Sequence, residues 1–65
     1  MYKMVEIVGV SPEGYDAAVR QGVEAAVAQG LKVSWFEVVE LRGGYHNSRL
    51  EFQVKIRLGV HADKL

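Results

Sequence analysis

From Arg49 to Val60 the sequence alternates without a break. Leu50, Phe52, Val54, Ile56, Leu58 and Val60 hold the even positions, and Arg49, Glu51, Gln53, Lys55, Arg57 and Gly59 the odd ones. A period of two belongs to a β-strand with one apolar and one polar face, because successive side chains point to opposite sides of a sheet. Two more runs, Tyr2 to Val8 and Lys32 to Arg42, are rich in β-branched and aromatic residues and also read as strands. Gly43-Gly44-Tyr45-His46-Asn47-Ser48 supplies the turn between the second and the third.

Between the first two strands, Gly9-Val10-Ser11-Pro12-Glu13 gathers the signals for a helix start. The Ser11 hydroxyl can accept a free N–H of the first turn. Proline lacks the N–H that would be unpaired there, and Glu13 and Asp16 favour the positive helix end. Tyr15, Ala18, Val19, Gly22, Val23, Ala26 and Val27 then recur at steps of three and four, and Gly30 is placed to end the run in the left-handed conformation. The spacing predicts a helix over 12–29 with Ser11 as its N-cap. The fold class is α+β: a β-α-β-β chain forming a three-stranded antiparallel sheet with one helix packed on one face.

The short turn makes the last two strands a hairpin, and the crossover before them should be right-handed. The last strand is expected between the other two. The second strand carries apolar residues on both sides, with Phe36 and Val38 on one face and Val33, Trp35, Val39 and Leu41 on the other. One helix covers only one face. If it takes the side of Phe36, Val38 and the even residues of the last strand, Trp35 and Gln53 share the uncovered side, since a one-residue slip would reverse every side chain. An exposed patch of that kind marks an interface or a ligand site.

The need for a partner follows from size. A chain of 65 residues buries only about 60% of its unfolded surface, so core burial by itself comes out near break-even against chain entropy. Cysteine is absent, which removes disulfides and thiolate metal sites together. Subunits or a ligand remain. Eight Lys plus Arg balance eight Asp plus Glu, which argues against binding dominated by nucleic-acid phosphates. The opening MYKMVEIVGV is too short an apolar run for a signal peptide, and no stretch approaches a membrane span, so a cytoplasmic protein is expected.

At Val8-Gly9-Val10-Ser11-Pro12-Glu13, Trp35-Phe36-Glu37-Val38-Val39-Glu40-Leu41-Arg42-Gly43 and Phe52-Gln53-Val54 the sequence resembles the dodecins, small flavin-binding proteins of β-α-β-β fold that assemble as hollow homododecamers. The resemblance runs over nearly the whole chain and implies a single flavin-binding domain over residues 1–65. It implies that FMN or riboflavin stacks in pairs between tryptophans of neighbouring subunits, and Trp35 matches that tryptophan. It gives Gln53 the hydrogen bonds to the pyrimidine side of the ring and Arg42 the flavin phosphate. It also implies coenzyme A as a ligand of some bacterial members, with no residue here assigned to it. Indole stacked on a flat, electron-poor ring is worth about 0.5–1.5 kcal/mol beyond area burial, and it should quench the flavin by donating an electron to its excited state and taking it back.

Each residue also has a plainer reading. Trp35 can be interface packing, Gln53 one more residue of a solvated row, and Arg42 an ion-pair partner of Glu40 or Glu51. His46 and His61 have no metal-site spacing, so no metal is expected. Nothing pairs Glu37 with Glu40 as acid and base, and Ser11, Ser34 and Ser48 lie beside no histidine motif. The expected function is flavin storage and sequestration without catalysis. Its rivals are a flavin-dependent redox enzyme and a plain oligomeric interaction module.

Overall fold

The computed structural model describes residues 1–62; residues 63–65, the end of the expected domain, lie outside the description. Strand β1 (Tyr2–Ser11) is followed by helix α1 (Tyr15–Ala28) and by strands β2 (Val33–His46) and β3 (Arg49–His61). The sheet order is β1-β3-β2, with β3 antiparallel to both neighbours. The expected architecture and central third strand are therefore present.

The core forms where the alternating row of β3 meets the small face of the helix. Val54, Ile56, Leu58 and Val60 are fully or almost fully buried, together with Ala18 and Ala26. Each large aliphatic side chain taken out of water contributes about 1.5–3 kcal/mol. Val5, Ile7, Val19, Val23, Leu31 and Val33 pack around this cluster. The helix sits close because small residues meet at its contact with β1: a Cβ added to Gly9 would collide with the Ala18 carbonyl, and Gly22 faces the Gly9 Cα. Gln21 ties the helix to the sheet edge, its Oε1 accepting the Val10 N–H at 3.0 Å.

The helix begins later than its start signals suggest. It opens at Tyr15, with Gly14 at the N-cap (φ 151°, ψ 174°), a backbone conformation almost confined to glycine. Ser11 belongs to β1, and its hydroxyl accepts the Glu13 N–H at 3.0 Å, so it stabilises the turn through Pro12 and does not cap the helix. The other end follows expectation. Gly30 (φ 95°) donates to the Val27 carbonyl at 2.9 Å and Leu31 to the Ala26 carbonyl at 3.2 Å, which closes the helix in a Schellman motif.

Two features of β2 differ from the simple pattern. Gly43 to His46 lie in the strand, opposite Phe52 to Arg49, so the turn contracts to Asn47-Ser48, whose φ values of 53° and 63° fit a two-residue type I′ hairpin. The pairing also shifts between Val33 and Trp35 and between Val38 and Glu40, where Ser34 and Val39 are extra residues opposite a continuous β3. Each bulge reverses the facing of the residues beyond it. Val33 and Leu41, expected beside Trp35, instead pair with Val60 and Val54 on the helix side.

Phe36 and Val38 take the helix side as expected, opposite Leu58 and Ile56, but the helix does not cover them. They are 49% and 48% exposed, and Leu41 is 55% exposed. The helix packs on β1 and β3 and only grazes β2. The glycine-rich contact draws it toward β1, leaving an open groove between Val19 and Val23 of the helix and Phe36 and Val38 of β2.

Candidate functional site

The face of the sheet away from the helix is organised as rungs across three strands. Met4, Gly59 and Trp35 form one, then Glu6, Arg57 and Glu37, then Val8, Lys55 and Glu40, then Val10, Gln53 and Arg42. Charges of opposite sign lie opposite one another in the second and third rungs, and Lys55 Nζ stands 3.7 Å from Glu40 Oε1. The outer rungs hold the residues with binding chemistry.

At one end Trp35 lies across Gly59. A Cβ built on Gly59 would overlap indole atoms Cδ2, Cε2 and Cζ2, all at the same separation, so the ring lies face-on over the glycine backbone. The Tyr2 ring meets the indole edge-on, with centroids 5.0 Å apart at 70°, and His61 meets Tyr2 in the same manner at 5.2 Å. Trp35 remains 39% exposed. The indole is thus held from below and from one side while its outward face is open to a flat aromatic guest.

At the other end Arg42 pairs directly with Gln53. Strict alternation along β2 would have put Arg42 under the helix; the bulge at Val39 brings it onto the face of Trp35 and Gln53. Glu40 and Glu51, its plain ion-pair candidates, are engaged elsewhere, Glu40 with Lys55 and Glu51 with Gln53, whose Nε2 donates to Glu51 Oε1 at 2.8 Å. Among the described residues Arg42 has no ion pair, so its guanidinium is available to an anion. Directed at the Glu51 carboxylate, the Gln53 amide keeps its oxygen free to accept from an imide-like N–H, and one hydrogen to donate.

The two ends are distant within one chain. From Gly59 to Gln53 along β3 is about 20 Å at ~3.3 Å per residue, longer than the three-ring nucleus of a flavin. One ring therefore cannot reach Trp35 and Gln53 of the same chain, and a site using both has to combine copies.

Sequence reasoning missed Gly59 and Tyr2 as neighbours of Trp35, and gave Glu51 to Arg42 where the structure bonds it to Gln53. Gly59 did leave a signal, as the one position in the polar row of β3 without a side chain. His46 pairs with Arg49 beside the hairpin turn, and no group of three His, Asp or Glu residues gathers as a metal site among the described residues. Among the described residues no helix is long and apolar enough to cross a membrane.

The fold and this face define a class: small β-α-β-β proteins that carry an open aromatic platform on the side of the sheet without a helix. The family model described as Dodecin matches residues 1–63. A dodecin of Thermus thermophilus is 35% identical over 65 residues, covering 98% of this chain and 94% of that protein. The solved dodecin of Streptomyces davaonensis is 38% identical with a TM-score of 0.89, covering 98% of this chain and 96% of that one. That of Streptomyces coelicolor is 36% identical with a TM-score of 0.91, covering 100% and 94%. The chain belongs to the dodecin family, which is not a family of enzymes.

Proposed function

We propose that the protein binds and stores FMN or riboflavin, with no catalytic turnover, as a hollow homododecamer in which flavin pairs lie between Trp35 indoles of neighbouring subunits. The observation that carries this reading is the Trp35 indole, fixed flat on Gly59 and open on its other face. Arg42 and Gln53, facing the same way, supply an anion contact and an amide for the polar edge of the ring, each reaching a flavin that stacks on another copy. Repeating one contact around closed symmetry axes ends growth at a finite shell, and it covers the exposed row of Phe36, Val38 and Leu41 that the helix leaves bare.

The stacked arrangement leaves no flavin face for a hydride donor, which sets this reading apart from a redox enzyme. Purified protein is expected to be yellow, to sediment as about twelve chains of 7.2 kDa, and to hold flavin whose fluorescence is quenched. Colourless protein that ignores added riboflavin would leave the Trp35 face as a simple contact between subunits. Sustained NAD(P)H oxidation by the pure protein would favour the enzyme.

A further inference from the structure

We propose that Gly59 is a positioning residue for Trp35: by having no side chain, it sets the height of the indole above the sheet and hence the depth of the slot left for a planar guest. The inference rests on the flavin reading for its ligand, and on geometry for the rest. Position 59 is the only one in the polar row of β3 without a side chain, and it is the position paired with Trp35. A Cβ there would meet the six-membered ring of the indole at three atoms equally, so it would lie directly beneath the centre of that ring. The bulge at Ser34 faces the indole onto this spot, and Tyr2 blocks its sideways escape with an edge contact at 5.0 Å.

A methyl group at position 59 therefore has one main effect, which is to push the ring outward. Stacking falls off steeply once ring planes lose van der Waals spacing. In a slot bounded by two symmetry-related indoles the displacement acts from both walls, so the guest is squeezed out before the fold is disturbed. The indole also parts from Tyr2 and becomes more accessible to solvent. That change does not depend on any ligand.

The test is Gly59→Ala, compared with the parent protein with and without riboflavin. Trp35 is the only tryptophan, so indole emission reports this site alone. Flavin-free Gly59→Ala is expected to keep the particle mass and far-ultraviolet dichroism of the parent while its emission shifts and acrylamide quenches it more strongly. Its riboflavin affinity should fall at least about tenfold. Unchanged emission and acrylamide quenching overturn the inference, as does unchanged riboflavin affinity in a protein whose emission has shifted. If Gly59→Ala fails to fold, Gly59→Ala/Trp35→Ala should fold, because the indole is what the methyl meets; failure of both also overturns it. A parent protein that binds no riboflavin removes the flavin reading, while the emission result still decides the role of Gly59.

Discussion

Two rows of apolar residues lie side by side on the helix face of the sheet. In β3, Val54, Ile56, Leu58 and Val60 are between 0% and 2% exposed; in β2, Phe36, Val38 and Leu41, paired with three of them, are about half exposed. Hydrophobicity does not separate the rows. Helix position does: close contact at Gly9, Ala18 and Gly22 places the helix over β1 and β3, one strand short of β2. A single chain thus finishes the core of one row and leaves the other exposed, the row that the proposed assembly would cover.

The sharpest test of this contrast is truncation in the finished row. Leu58→Ala should cost about 2–5 kcal/mol, comparable to the whole stability expected of a domain this small, and urea denaturation should show little or no cooperative transition. Phe36→Asp puts a charge into the unfinished row, which an isolated chain tolerates and a shared interface does not. Light scattering should find the large particle lost, and an unchanged mass would mean that this row faces solvent. On the opposite face, Trp35→Ala should cost at least a factor of ten in riboflavin affinity, about 1.4 kcal/mol, and abolish quenching, with the denaturation midpoint much less affected than by Leu58→Ala. The smallest effect belongs to the turn, remote from both rows. Ser48 sits at φ 63°, and Ser48→Gly should stabilise the protein by roughly 0.5–1 kcal/mol, visible as a small rise in melting temperature.

Much of this was legible in the residues because it rests on local periodicity. The alternation of β3, the small stripe of the helix and Gly30 at its end lead directly to the β-α-β-β order and the central strand. Trp35 and Gln53 were correctly given a common face. What could not be read was the phase of β2, because an extra residue at Ser34 or Val39 looks in sequence like any other strand residue. Counting odd and even positions therefore misplaced Val33 and Leu41, and gave no structural reason for Arg42 to join Gln53. The helix start was misread for another reason: Ser11-Pro12-Glu13 has the composition of a cap, but the backbone turns at Gly14, where glycine reaches φ 151°. The length of the hairpin was missed because Gly43 and Gly44 signal a turn by composition while pairing as strand. Face can be inferred from pattern; the separation of Trp35 and Gln53 along β3 needed the register.

The bulge at Val39 makes this strand sensitive to the parity of its length. Removing Val39 alone would restore a regular ladder with every facing kept: Glu40 would follow Val38 directly and still lie opposite Lys55, Leu41 opposite Val54 and Arg42 opposite Gln53. Losing Val39 and Glu40 together would turn everything on the hairpin side of the cut by half a turn, sending the guanidinium beneath the sheet and Leu41 onto the open face. A variant lacking Val39 should accordingly survive, and one lacking both Val39 and Glu40 should fail.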